Sequence, residues 1–157
     1  MTEPAHAQAE GRRIHITRVL DAPRDAVFEA WTDPGQVAAW WGPGGFDVPR
    51  DTITIDLRVG GRYDLCMVQA ATGAGFWVRS EIVELVAGDL LVLGSDAAPE
   101  IGLTFPTLTR VEFRDDGAGT RVTVTGGLYS DEMAPNAEAG WSSSLDRLAD
   151  RLAQRVS

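Results

Sequence analysis

The sequence lacks several residues on which common catalytic and structural devices depend. It contains no lysine, since all 14 of its basic residues are arginines, and this excludes a lysine Schiff base. Its one cysteine, Cys66, cannot form an intrachain disulfide, so we expect a reducing, cytoplasmic location. No apolar run approaches the ~20 residues that cross a bilayer, and no membrane span is predicted.

Metal ions and nucleic acids are also disfavoured as partners. The two histidines, His6 and His15, have no cysteine or carboxylate at a metal-ligand spacing, so we predict no metal site and no cofactor. The formal net charge is -9, which repels the phosphates of nucleic acids. The glycine-rich stretches lie between predicted strands, which is not the setting of a phosphate-binding loop.

The length and composition are those of one globular domain. The chain has 157 residues, of which 44% are hydrophobic and 24% are charged, and this is enough for a substantial core. Residues 1–12 show no basic segment followed by an apolar one, so they do not resemble a signal peptide. We expect a disordered tail there and a single domain over residues 13–157.

The spacing of apolar residues predicts the elements of this domain. A β-branched strand begins at Arg13, and two short helices follow, the first with Asp21 as a candidate N-cap and the second with Asp33. After Gly42 the pattern changes to the period of 2 that is typical of strands, and about six antiparallel strands follow. One of them is predicted to run without a break from Gly75 to Val86.

The double glycine in "DLRVGGRY" marks a hairpin, and the faces of its two arms indicate the loop length. A two-residue loop would put the apolar residues of the two arms on opposite faces, whereas a three-residue loop puts them all on one face. We therefore predict the three-residue loop Val59–Gly61, with Gly61 in the left-handed region of backbone space. The apolar residues concerned are Ile53, Ile55, Leu57, Tyr63, Leu65 and Met67.

The C-terminal segment predicts a long amphipathic helix that begins near Pro135. Its apolar residues are spaced i, i+4, i+7 and i+11, and charged residues take the opposite face. About 20 helical residues are ~30 Å long, which is enough to cross a small domain. The apolar residues are Trp141, Leu145, Leu148 and Leu152.

Three stretches carry a resemblance to a known family: "TDPGQVAAWWGPGGF", "DLRVGGRY" and "GWSSSLDRLADRL", in this order. With the order of predicted elements, they resemble the activator of heat-shock protein 90 ATPase homologue-like family, in the START-like, birch-pollen-allergen-like superfamily. The resemblance implies an α+β helix-grip fold with two short helices after the first strand. In that fold a curved antiparallel sheet of about six to seven strands wraps the long C-terminal helix and leaves a cavity between them.

The first functional hypothesis is that this cavity binds an apolar or lipid-like small molecule, because superfamily relatives bind lipids, hormones and polyketides. The lining candidates are the large apolar side chains near the glycines and on the inner faces of the elements. The competing interpretation is that these side chains are packed core, above all Trp141, Leu145 and Leu148. The full set of candidates is Trp40, Trp41, Phe46, Tyr63, Leu65, Met67, Phe76, Val78, Val92, Met133, Trp141, Leu145 and Leu148.

Two other functional classes stay open. An enzyme of cyclase or hydrolase type would use the same cavity and needs at least two ionisable or hydroxyl groups that converge there. The candidates are Tyr63, Asp64, Arg79 and Glu81, and binding without catalysis is the preferred interpretation. A chaperone- or regulator-binding role would need an exposed apolar patch. The sequence also leaves open a homodimer formed through a sheet edge or the two short helices.

Overall fold

The computed structural model describes residues 12–42, 45–97, 106–129, 132 and 134–156. Residues 1–11 of the predicted tail and the candidate Met133 lie outside the described residues. In chain order the elements are β1 (Arg12–Leu20), α1 (Arg24–Thr32), α2 (Pro34–Trp40), β2 (Phe46–Asp47), a 3-10 helix (Arg50–Thr52), β3 (Thr54–Ile55), β4 (Tyr63–Gln69), β5 (Gly75–Val78), β6 (Ser80–Val86), β7 (Leu90–Ser95), β8 (Thr107–Asp116), β9 (Gly119–Tyr129) and α3 (Ala134–Val156).

The strands form a curved antiparallel sheet around α3. One part has the strand order β1-β9-β8-β7-β6, and in the other part β4 pairs with β2, β3 and β5. The two parts are joined where β5 runs on into β6 and where Arg62 bridges to Glu81. This is the predicted α+β helix-grip fold. The described residues hold more strands than expected, because the two-residue strand β2 was not predicted and one predicted strand is divided into β5 and β6.

The divided strand is the one predicted to run unbroken from Gly75 to Val86. It is interrupted at Arg79, so that β5 pairs with β4 while β6 pairs with β7. At the break, the backbone N–H of Ser80 donates to the carboxylate of Asp64 at 2.9 Å instead of to a strand carbonyl. The sheet can therefore change direction here without leaving a buried donor unpaired.

The two short helices begin in different ways. Asp33 caps α2 as predicted, since its carboxylate accepts a hydrogen bond from the backbone N–H of Gln36 at 3.0 Å. The prediction of Asp21 as the cap of α1 is wrong, because the N-cap is Pro23, which has no side-chain cap bond. Proline already fixes the backbone angle φ that this position needs, so the helix can begin without a side-chain acceptor.

The hairpin between β3 and β4 has a longer loop than predicted. Ile55 lies opposite Tyr63, and the N–H of Asp56 donates to the carbonyl of Arg62 at 2.9 Å, which leaves residues 57–61 as a five-residue loop. Because the register moved by an even number of residues, Ile55 still shares a face with Tyr63 as expected. Leu57 falls in the loop and is 44% exposed, so its predicted inward position is wrong.

The glycine that takes the left-handed conformation in this loop is Gly60, whereas the sequence predicted Gly61. Gly60 has φ 87° and occupies the left-handed region, whereas Gly61 does not. Gly61 is required for another reason, since a Cβ there would lie 2.0 Å from the carbonyl oxygen of Asp56. The loop is held against β6 by two backbone hydrogen bonds, from Gly60 N–H to the Ile82 carbonyl and from Ile82 N–H to the Gly61 carbonyl. This attachment to a distant strand sets the loop length.

The long helix α3 begins one residue before the predicted Pro135. Its residues Leu145, Leu148 and Leu152 are fully buried against the concave face of the sheet, as the amphipathic pattern predicts. They belong to one core with Trp31 of α1 and Phe113 of β8. In the described part of the chain, no helix is both long enough and apolar enough to cross a membrane.

Candidate ligand cavity

A cavity of about 500 Å³ lies between the first half of α3 and the concave face of the sheet. Its size is within the ~300–1,000 Å³ that small-molecule sites usually have. Most of its lining surface is apolar, and polar side chains enter it both from the sheet strands and from α3. The lining residues are Trp41, Gly42, Phe46, Met67, Val78, Ser80, Leu93, Ser95, Asp96, Thr107, Thr109, Tyr129, Asn136, Ala137, Gly140, Trp141 and Ser144.

Two tryptophans form the aromatic wall of the cavity. The ring centroids of Trp41 and Trp141 are 5.1 Å apart with the planes at 75°, an edge-to-face contact. Behind them, Trp31 stacks on Trp141 with the centroids 5.7 Å apart and the planes at 19°. The wall therefore rests on a ring that is itself fully buried, and its shape is fixed by packing.

The segment that follows α2 is held in place by Arg147 of α3. Its Nη1 donates to three backbone carbonyls, those of Trp41, Gly42 and Phe46, at 3.4, 3.1 and 3.2 Å. Gly42 has φ 102°, which disfavours any residue with a side chain. The chain can therefore turn sharply beside two large aromatic rings, and this is why glycine follows the tryptophan pair.

A row of hydroxyl groups forms part of the polar lining. Ser80, Ser95 and Thr107 are directly opposite one another on β6, β7 and β8. The hydroxyl oxygens of Ser80 and Ser95 are 2.8 Å apart and hydrogen-bonded. Ser80 is 1% exposed and Thr107 is 8% exposed, whereas Ser95 between them is partly exposed, so the row is accessible mainly through Ser95. We call these three residues the hydroxyl row.

Tyr129 and Trp141 connect the sheet to the helix at the cavity. Burial raises the pKa of the Tyr129 phenol, and a hydrogen bond with the side chain of Trp141 offsets part of that effect. The phenol is therefore protonated near neutral pH. It also packs against Ile14 and Ala134, close to the start of α3.

Comparison with known families identifies the chain. The model for the family described as Activator of Hsp90 ATPase homolog 1-like protein matches residues 21–153. The chain belongs to this family. A comparison with curated proteins found no match.

Solved structures agree with membership in the Activator of Hsp90 ATPase homolog 1-like family. A Chromobacterium violaceum protein is 28% identical with a TM-score of 0.81, and the match covers 89% of this chain and 96% of that chain. The AHSA1 protein of Silicibacter pomeroyi is 24% identical with a TM-score of 0.76, covering 92% and 99%. An AHSA1-like protein of Aeromonas hydrophila is 24% identical with a TM-score of 0.76, covering 92% and 94%. The last two show likeness of fold alone.

In this family member, five of the thirteen predicted lining residues surround the cavity. They come from the segment after α2, from β4 and β5, and from α3, so elements distant in sequence converge as the helix-grip fold requires. Their side chains supply the aromatic wall and the apolar floor. The five are Trp41, Phe46, Met67, Val78 and Trp141.

Five other predicted lining residues lie in the packed core instead. Trp40 is fully buried, and its indole N–H donates to the carbonyl of Ala30 at 2.8 Å, which directs the ring under α1. The hydroxyl of Tyr63 donates to the carbonyl of Trp31 at 2.5 Å, and burial raises the pKa of this phenol well above its ordinary value. The remaining three pack in the same core cluster: Leu65, Leu145 and Leu148.

Phe76 and Val92 also lie outside the cavity lining. Phe76 packs its ring edge to face against that of Phe46, with the centroids 6.2 Å apart. Side chains alternate along β7, so Val92 turns to the other face of the sheet, opposite Arg110, while Leu93 lines the cavity. The prediction chose the wrong phase of β7. Met133, as stated above, lies outside the described residues.

The four residues nominated for catalysis do not line the cavity. Tyr63 is in the core. The carboxylate of Asp64 accepts hydrogen bonds from the backbone N–H of Ser80 and from the guanidinium of Arg62. Arg79 places its guanidinium 4.6 Å from the ring centre of Trp77, and Glu81 is exposed. Within the described residues, no group of three His, Cys, Asp or Glu side chains is arranged to hold a metal ion.

Sequence analysis missed the hydroxyl row and Asp96. Short hydroxyl side chains at strand ends are typical of turns as well, so nothing in the pattern marks them as site residues. Only the pairing of three strands shows that they are neighbours.

Proposed function

We propose that this protein binds an apolar small molecule in the cavity between α3 and the sheet. The observation that carries the proposal is the largely apolar space of about 500 Å³ beside two edge-to-face tryptophans, Trp41 and Trp141. Burying apolar surface of a ligand there contributes ~25 cal/mol per Å². Membership in the family supports the fold that makes such a cavity.

Binding without turnover is what the geometry favours. The four residues nominated for catalysis make their contacts elsewhere. Hydroxyl groups do converge at the cavity, but those of Ser80 and Ser95 bond to each other, and no described hydrogen bond joins them to a general base that would activate a nucleophile. The family description mentions activation of a chaperone ATPase, and no described contact favours that role over ligand binding. We also propose a cytoplasmic location, which the single cysteine Cys66 supports because it can form no intrachain disulfide.

The test is to fill the cavity. Ala137 of α3 lines it, whereas Ala139, two residues further, is exposed on the same helix. Binding of the neutral fluorescent probe N-phenyl-1-naphthylamine would be measured for Ala137→Phe and for the matched control Ala139→Phe. We expect the cavity variant to weaken binding by about tenfold or more, because the phenyl ring takes the place of the probe, and the control to bind like the natural chain.

Two results of this experiment would contradict the proposal. If the natural chain does not bind the probe, or if Ala137→Phe binds it as tightly as Ala139→Phe does, the proposed cavity site is wrong. Circular dichroism of both variants shows whether each has folded before binding is compared.

A further inference from the structure

We propose that the cavity selects a neutral amphiphile, an apolar molecule with a hydroxyl or carbonyl at one end, and discriminates against carboxylates of the same shape. This inference rests on the proposed function and adds the chemical class of the ligand. It comes from the distribution of polar groups around the cavity.

The hydroxyl row is placed to receive the polar end. Three short side chains, Ser80, Ser95 and Thr107, stand side by side on adjacent strands and all face the cavity. A hydroxyl both donates and accepts, so the row can pair with either a carbonyl or an alcohol. The remaining walls are largely aromatic and aliphatic, with Trp41 and Trp141 among them. The ligand therefore has one polar end and an apolar body.

The charges around the cavity disfavour an anion. Among the described lining residues none is an arginine, the chain has no lysine, and the one acidic side chain there is that of Asp96. The first turn of α3, through Asn136 and Ala137, also faces the cavity. Its partial positive charge attracts an oxygen atom, whether neutral or charged, but is weaker than the full countercharge that a buried carboxylate needs.

Arg147 is not among the lining residues, and its Nη1 already donates to the carbonyls of Trp41, Gly42 and Phe46. A buried carboxylate would therefore have no cationic partner in the described lining and would share the cavity with the acidic side chain of Asp96.

The experiment compares three ligands of one shape: 2-methylnaphthalene, 2-naphthalenemethanol and 2-naphthoate, each displacing N-phenyl-1-naphthylamine. We expect the alcohol to bind at least as tightly as the hydrocarbon and about tenfold or more tightly than the carboxylate, because only the alcohol satisfies the row without an unpaired charge. This arm uses the natural chain and does not depend on any variant folding.

Variants then assign the selectivity to named residues. Thr107→Val keeps the shape of the side chain and removes its hydroxyl. It should weaken binding of the alcohol about 3- to 10-fold and change the affinity for the hydrocarbon by no more than about twofold. Thr17→Val is the matched control, since Thr17 is exposed on the outer face of the same sheet. Asp96→Asn should reduce the difference in affinity between the alcohol and the carboxylate. Asp150→Asn, which changes an exposed residue of α3, should leave that difference unchanged.

Each result separates this inference from the proposed function. If naphthoate binds as tightly as the alcohol, or if Thr107→Val weakens alcohol and hydrocarbon equally, the selectivity is refuted while the cavity site stands. If neither the probe nor any of the three ligands binds, the proposed function fails and this inference fails with it.

Discussion

Arg147 should contribute much of the stability of the segment that walls the cavity. One nitrogen of its guanidinium, Nη1, faces the carbonyls of Trp41, Gly42 and Phe46 at 3.1 to 3.4 Å. A hydrogen bond to a charged group contributes ~1.5–3 kcal/mol net. Because the three acceptors share one nitrogen, we count the interaction once. Arg147→Met should therefore lower the free energy of unfolding by about 1.5–3 kcal/mol.

The assay is urea denaturation followed by tryptophan fluorescence, together with thermal melting. For a chain of this length each 1 kcal/mol shifts Tm by ~2–4 °C, so a fall of about 3–12 °C is expected. Arg147→Lys should recover only part of the loss, because the compact, strongly hydrated ammonium on a flexible stem does not reproduce the position of Nη1 in the rigid guanidinium.

The matched control is Arg58→Met. The side chain of Arg58 is 67% exposed and pairs only with Asp56 among the described contacts, so its loss should change stability by less than about 0.5 kcal/mol. If Arg147→Met is no more destabilising than Arg58→Met, the three carbonyl contacts do not hold the segment and the reasoning is refuted.

Two further predictions concern the hairpin loop and the buried phenols. Gly61→Ala should cost about 3 kcal/mol or more, because its Cβ would lie 2.0 Å from the carbonyl oxygen of Asp56, whereas Gly73→Ala has open space and should cost only the ~1–2 kcal/mol of its left-handed backbone. Equal urea midpoints for the two variants would contradict the steric argument. Burial raises the pKa of Tyr63 and Tyr129 in the folded state, so the unfolded chain loses these protons first. The stability that these two protonated phenols contribute should be fully present below pH ~10 and should be lost progressively above it. A urea midpoint that stays level from pH ~9 to ~11 would count against this.

Local periodicity was sufficient for the main elements. The terminal helix follows from the spacing of Leu145, Leu148 and Leu152, and the cap of α2 follows from Asp33. Both depend on residues within a few positions of each other, where backbone geometry decides which side chains share a face. The family resemblance added the way in which these elements are assembled.

The pairing register of the strands, and the face of the sheet on which each strand residue lies, were harder to predict from the sequence. The loop before β4 takes its length from hydrogen bonds to Ile82, about twenty positions further on, which no local pattern reveals. Adjacent residues of β7 are all apolar, so the sequence could not show that Leu93 faces the cavity and that Val92 faces away. In a strand that is apolar throughout, the two faces differ only by what packs against them.

The sequence by itself determined the order of the main helices and strands, the amphipathic face of α3 and the need for glycine after the tryptophan pair. Tertiary structure alone decided which large side chains became core and which became wall, and it brought Ser80, Ser95 and Thr107 into one row. The physical reason is that periodicity fixes the direction of a side chain relative to its own backbone. A cavity, in contrast, is a gap in the packing between elements that are distant in sequence.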